Sequence, residues 1–331
     1  MKEIKAVIVG FGNIGKAFLR VLMEKSSFLE NKLEKKVKII AICEADGSLV
    51  NEAGISLKEA LSMDIKRLNY WKENKNAVSL IQELDLDILF EFTPGNIESG
   101  EPGYTHIREA LSNGINVITS NKAPLALKFS ELMNLAKRNG VKLKYEATVG
   151  GAIPIINLRD TYLFGEEIIE LYGILNGTTN YILSKMTSEL LSLDSALKEA
   201  QELGIAEANA SYDIDGIDTA AKVAILANSL LGKRVSIKDI NICGIRDITL
   251  EAIELAKKHG YVIKLIGDCK KLEVAPKLIP KWSPLNVSGT LNAITLETDI
   301  AKKITLVGYG AGPRETCSAI LADLIDVLRD L

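Results

Sequence analysis

The feature that most limits what this chain can become is Gly10-Phe11-Gly12-Asn13-Ile14-Gly15, set between an apolar run and a helix-patterned stretch. Residues 4–9 (IKAVIV) read as a buried strand, and residues 16–24 repeat apolar side chains at helical spacing. Between a strand and a helix, a G-x-G-x-x-G turn suits a dinucleotide. Gly10 makes the turn, Gly12 admits the pyrophosphate, and Gly15 lets helix and strand pack closely. The bare pattern is a weak signal because glycine-rich turns are common, so its position carries the argument.

Three more β-rich runs follow, at 37–43, 86–92 and 115–119, with helix-like segments between them. They end at Glu44, at Thr93-Pro94 and at Ser120-Asn121-Lys122. Alternating strands and helices predict an α/β, Rossmann-type, doubly wound parallel sheet, with ligands beyond the carboxyl ends of the strands. Glu44 at the end of the second run can accept hydrogen bonds from an adenosine ribose and repel a 2′-phosphate, which favours NAD over NADP. The polar stretch 24–36 makes the gap from Gly15 longer than usual, and Asp46 is the alternative acid.

Beyond the run at 141–145, the segment Val149-Gly150-Gly151-Ala152-Ile153-Pro154 reads as the crossing into a second domain. Strand-like runs near 168–175, 261–267 and 293–296, with helices at 180–189, 193–203 and 217–231, predict an α+β domain with a mainly antiparallel sheet. A glycine cluster, Gly308-Tyr309-Gly310-Ala311-Gly312, precedes a helix over 315–328. The expected organisation is a dinucleotide-binding domain over 1–154, a substrate-binding and dimerisation domain over 155–304, and a C-terminal segment over 305–331 that packs back on the first.

A chain of 331 residues with a formal net charge of -3 and no long basic run lacks the electrostatic footprint of a nucleic-acid or anionic-membrane binder. No apolar stretch approaches the ~20 residues of a membrane span, and the strand-like 4–9 leaves no room for a leader, so the expected location is the cytoplasm. Cys43, Cys243, Cys269 and Cys317 are far apart and offer no metal framework, and all four read as buried reduced thiols.

Reactive chemistry concentrates between Glu207 and Lys222, which holds Asp213, Asp215 and Asp218 ahead of an apolar helix. Asp215 is placed to cap that helix, while Asp218 and Lys222, four residues apart, share one face. Surface ion pairs share this spacing, but here the helix is apolar nearly all round, as buried helices are. A lysine buried there needs a partner or a cavity, and its proton affinity can be tuned for proton transfer. Lys122, after the fourth run, points to the nicotinamide end of the crevice. Two lysines at one carbonyl oxygen suit aldehyde reduction, where negative charge develops. His106 and His259, the only histidines, lie in helix-like stretches and read as surface or capping residues.

From Val7 to the final helix, the chain resembles the homoserine dehydrogenases. The motifs are the Gly10–Gly15 turn; Thr93-Pro94 with Gly100-Glu-Pro; Val117-Ile-Thr-Ser-Asn-Lys-Ala-Pro-Leu-Ala126; Tyr145-Glu-Ala-Thr-Val-Gly-Gly-Ala-Ile-Pro154; and Leu175-Asn-Gly-Thr-Thr-Asn-Tyr181. The 207–222 stretch and Gly310-Ala-Gly-Pro-Arg-Glu-Thr316 complete the pattern. The resemblance implies reversible NAD(P)-dependent conversion of L-aspartate 4-semialdehyde to L-homoserine, toward threonine, methionine and isoleucine. It implies Lys222 as proton donor, Asp218 as its orienting and substrate-binding neighbour, and Lys122 as a second catalytic lysine at the nicotinamide. Glu207 would bind the substrate ammonium, and Gly177, Thr178 and Asp213 the amino-acid moiety. Phe11, Asn13, Ile14, Thr93, Pro94 and Gly312 fall at cofactor positions. Backbone carbonyls of Glu146, Val149, Gly151 and Ile153 match a structural sodium site, and a homodimer paired through the second domain is implied.

One departure is Asn209-Ala210, where the family usually has an Asp-Pro pair, which bears on the loop over the substrate. The chain stops at Leu331 without the regulatory domain that many relatives append, so threonine inhibition through such a domain is not expected. The rivals are another dinucleotide-dependent oxidoreductase of an amino-acid pathway and a non-catalytic nicotinamide sensor. An aspartate-semialdehyde dehydrogenase needs an activated nucleophilic cysteine, which none of the four presents.

Overall fold

The computed structural model describes residues 1–331, which divide into two compact units: Met1–Thr148 with Gly312–Leu331, and Val149–Ala311. The first unit runs β1 (Lys2–Val9), α1 (Asn13–Leu33), β2 (Lys35–Glu44), β3 (Gly47–Val50), α2 (Leu57–Ser62), β4 (Trp71–Glu73), α3 (Ala77–Glu83) and β5 (Ile88–Glu91). It continues with α4 (Gly103–Ser112), β6 (Asn116–Thr119), α5 (Lys122–Arg138) and β7 (Leu143–Lys144), and takes in the C-terminal helix Pro313–Asp330.

Its sheet has the order β4-β3-β2-β1-β5-β6-β7. The five strands β2, β1, β5, β6 and β7 are parallel, as the alternating pattern predicts, and the order reverses between β1 and β5, where such sheets open their ligand crevice. Unforeseen from sequence, β3 and β4 add an antiparallel edge to β2. The core gathers Ile4, Ile8, Phe18, Leu22 and Phe90 with Ile320, Leu324 and Val327 of the C-terminal helix. Phe18 stacks on Phe90 with ring centroids 4.6 Å apart. The stretch 24–36, read as a polar insertion, is mostly the continuation of α1. Leu29 stands one heptad beyond Leu22 and is buried with it, and the helix stops only where Glu34 turns left-handed at φ 55°.

The second unit runs α6 (Ile155–Thr161), β8 (Ile168–Ile174), α7 (Gly177–Glu189), α8 (Leu193–Glu202), α9 (Ser211–Ile214), α10 (Ile217–Leu231), β9 (Asn241–Ile242) and α11 (Leu250–Lys258). Four long strands follow: β10 (Tyr261–Asp268), β11 (Glu273–Pro280), β12 (Leu291–Thr298) and β13 (Lys303–Tyr309). The sheet order is β13-β12-β8-β10-β11-β9, antiparallel throughout except where β9 pairs with β11. β13 belongs to this unit, which therefore extends past the boundary at 304 expected from sequence. No helix is long and apolar enough to cross a membrane. Of the cysteines, Cys43, Cys269 and Cys317 are buried, whereas Cys243 is exposed, contrary to expectation.

Candidate active site

In the first unit the glycine turn has the geometry its spacing demands. Gly10 sits at φ +91°, and a side chain there would lie 2.7 Å from the Phe92 backbone. A Cβ on Gly15 would collide with the Gly10 carbonyl oxygen, so helix and strand meet as closely as the motif requires. Gly12 has nothing within 4 Å of its Cβ position. α1 also starts without a side-chain cap and without an acid in its first turn. Its first N–H groups and positive dipole end are thus left for an anion, and the open face at Gly12 gives the pyrophosphate of a dinucleotide room to approach. These residues fit the cofactor.

Asn13 is exposed, Ile14 is half-buried against the core, and the Phe11 ring is buried within it, which leaves Phe11 mainly backbone to offer. Glu44, the last residue of β2, lines a cavity of about 450 Å³ with Lys16, Arg20 and Lys66 among its walls. Asp46 is ion-paired with Lys66, and that contact holds its carboxyl below the usual range. Of the two acids, only Glu44 faces this cavity.

Thr93 and Pro94 follow β5 after a single residue, Phe92. Thr93 donates through its backbone N–H (2.9 Å) and its hydroxyl to the carboxylate of Glu91, which is wholly buried. His106 Nδ1 stands 2.8 Å from the other Glu91 oxygen. His106, read as a surface or capping residue, is thus a half-buried partner of an acid that sequence reasoning missed, because Glu91 looks like the end of an apolar strand. His259 does cap, closing α11 with its backbone N–H. Lys122 is half-buried as the first residue of α5, after Asn121, whose side chain accepts from Ala123 N–H. Gly312 is the N-cap of the C-terminal helix.

In the second unit, the apolar pattern of α10 does bury its charged pair. Lys222 and Asp218 are only 6% and 7% exposed, with Nζ 2.9 Å from Asp218 Oδ2. Nζ also donates to the Leu175 carbonyl oxygen at 2.6 Å. An ammonium has three N–H bonds, so one is left for a ligand oxygen. Asn176 ties the pair to its surroundings. Its side-chain oxygen caps α7 at Thr179 N–H, and its Nδ2 donates to Asp213 Oδ1 (2.7 Å) and Asp218 Oδ2 (2.9 Å). Burial and the nearby Asp218 charge push the Asp213 carboxyl up, against the Asn176 hydrogen bond and the Lys222 charge. The same burial, with Asp218 and Asp213 beside it, pushes the Tyr212 phenol up to about 12.

Gly177 and Thr178 open α7 next to Asn176. A side chain on Gly177 would lie 2.8 Å from the Thr290 carbonyl oxygen. Glu207 is exposed on the loop before α9, its carbonyl oxygen held by Gln201. Asp215 does not cap α10. Gly216, at φ +83°, takes that position, and the left-handed turn sends Asp215 outward to Arg246, which lowers its carboxyl. Val149, Gly151 and Ile153 lie on one loop of this unit, while Glu146 belongs to the first unit and donates its N–H to the buried Asp323 at 2.9 Å.

Two family profiles match the chain: homoserine dehydrogenase NAD binding domain over residues 10–146, and homoserine dehydrogenase over 154–325. The chain belongs to the homoserine dehydrogenase family. It is 50% identical to the homoserine dehydrogenase of Methanocaldococcus jannaschii over 97% of both chains. A crystal structure from Archaeoglobus fulgidus superposes with a TM-score of 0.90 at 43% identity, covering 98% of this chain and 99% of that one. A hyperthermophilic archaeal homoserine dehydrogenase mutant solved with NADPH superposes with a TM-score of 0.87 at 29% identity, covering 100% and 99%. As in those homoserine dehydrogenases, a parallel nucleotide-binding sheet and a mainly antiparallel second sheet make up the molecule.

Proposed function

We propose that this chain interconverts L-aspartate 4-semialdehyde and L-homoserine with NAD(P), with Lys222 as the proton donor. The observation that carries the reading is the buried Lys222, with two N–H bonds fixed by Asp218 and Leu175 and one left over. As the aldehyde is reduced, its oxygen gains negative charge and takes a proton from Lys222 Nζ, and oxidation of homoserine returns that proton. NAD(P), when bound, supplies or takes up the hydride. Asp218 aims Lys222 through its ion pair, and also binds substrate. Gly177, Thr178 and Asp213 hold the amino-acid moiety, and Glu207 its ammonium.

Gly10, Phe11, Gly12, Asn13, Ile14 and Gly15 hold the pyrophosphate side of the cofactor, with Thr93, Pro94, Lys122 and Gly312 completing its site. Lys122 serves as the second lysine at the nicotinamide. Glu44 on the adenosine cavity favours NAD, while Lys16, Arg20 and Lys66 in the same walls admit NADP. A sodium ion on the carbonyl oxygens of Glu146, Val149, Gly151 and Ile153 is part of this reading, since such oxygens suit a hard cation. So is a homodimer through the second unit, whose strands expose Ile169, Leu278 and Val307, and a cytoplasmic location.

Purified protein is expected to reduce NAD with homoserine. Lys222→Ala lowers turnover by about a thousandfold, within the range of a lost general acid, while NADH binding persists. Undiminished turnover in that variant removes Lys222 from the mechanism. Glu44→Ser shifts the NAD/NADP ratio of kcat/KM toward NADP, and an unchanged ratio removes Glu44 from cofactor choice.

A further inference from the structure

The carboxyl ends of β5 and β6 are tied by a closed ring of hydrogen bonds that the catalytic reading leaves unused. Glu91, the last residue of β5, has no exposed surface, and no lysine or arginine reaches its carboxylate. One oxygen takes both donors of Thr93, and the other meets His106 of α4. The Thr93 hydroxyl in turn accepts from Asn121 Nδ2 at 3.3 Å, Asn121 N–H donates to Thr119 Oγ1 at 2.9 Å, and the Thr119 hydroxyl returns to the Glu91 carbonyl oxygen at 3.0 Å. Asn121 also caps α5, so the ring fixes the two points from which Thr93-Pro94 and Lys122 leave.

A buried carboxylate is costly unless its lone pairs are filled, and this one is filled by the crevice-lining turn and by His106. His106 is itself only slightly exposed, its side chain at 12%. We propose that Glu91 and His106 are positioning residues for the cofactor. They set the Thr93-Pro94 turn and the start of α5 in the arrangement that receives the nicotinamide end, without touching the reacting atoms. This rests on the cofactor reading given above.

The test measures NADH dissociation by fluorescence, without substrate, in wild type, Glu91→Ala, Glu91→Gln, His106→Ala and His106→Gln. kcat and homoserine KM follow at saturating NAD. The two alanine variants are expected to weaken NADH binding by about tenfold, the equivalent of one lost hydrogen bond to a charged group, with homoserine KM unchanged. The glutamine variants keep a hydrogen-bonding partner and bind within about threefold of wild type. The idea is overturned if the alanine variants bind NADH like wild type, or if glutamine does as much harm as alanine. Should Glu91→Ala not fold, the His106 pair, at the edge of the network, decides by the same criteria. Wild type that does not bind NADH removes the cofactor reading itself, a result distinct from normal binding in every variant.

Discussion

Lys264, on β10, is 3% exposed and has no carboxylate partner: its ammonium donates to Asn180 Oδ1 (2.8 Å), Ser184 Oγ (3.1 Å) and the Val287 carbonyl oxygen (2.7 Å). Its neighbour across the strand pair is another lysine, Lys277. Burial pulls its pKa from 10.5 to about 8. The folded state therefore loses this proton at lower pH than the unfolded state. Between those values the unfolded chain binds more protons, and stability rises with pH. Below about 8 the whole cost of the buried charge is present, and it is relieved as the side chain becomes neutral. For those two values, linkage gives a gain of about 2 kcal/mol between about pH 7 and about pH 9.5 from this residue alone. Lys264→Met keeps the apolar stem and removes the titration. Denaturant unfolding of both proteins across that range is expected to show wild type gaining about 2 kcal/mol relative to the variant, with all other titrating groups cancelling. Curves that stay parallel to within about 0.5 kcal/mol would refute the reasoning. The residue matters to the site because Asn180 also donates to the carbonyl oxygens of Gly289 and Leu291, a segment whose Thr290 packs against Gly177.

The glycine turn separates two kinds of substitution. Gly12→Ala meets nothing in the folded chain and leaves the unfolding midpoint nearly unchanged, but it fills the approach to the pyrophosphate and weakens NADH binding by about tenfold or more. Gly15→Ala drives a methyl into the Gly10 carbonyl and costs about 1–3 kcal/mol of stability, seen by denaturant unfolding before any ligand is added. The two neighbouring acids diverge in the same way. Asp215→Asn breaks an exposed pair with Arg246 and changes stability by about 1 kcal/mol at most, with kcat intact. Asp218→Asn leaves the buried Lys222 without its counter-charge and lowers kcat by about a hundredfold.

What the sequence revealed follows from how local each determinant is. The glycine turn was legible because three glycines at fixed spacing serve one local geometry, and the Asp218–Lys222 pair because helical periodicity alone puts both residues on one face. β3 and β4, of four and three residues, carry too little periodicity and exist only by pairing with β2. β11 was obscured by Pro276 and Pro280. It tolerates them because β9 pairs only with Glu273 and Val274, so the remainder is an edge where a missing N–H is harmless.

The hidden part of the site is the part made by distant residues meeting. Asn176 joins Asp213 to Asp218 across 37 and 42 residues of sequence, and no spacing rule connects them. His106 looks like a helix-surface residue until the end of β5 brings Glu91 beneath it. Asp215 failed as a cap for a subtler reason. Capping needs the residue just before the helix to be extended, with its side chain turned over the first N–H groups, and Gly216 takes that place in a left-handed conformation. The chemistry-bearing lysine could thus be read from one helix. The side chains that aim it, and those that shape the crevice for its cofactor, are set by tertiary contacts that the sequence states only residue by residue.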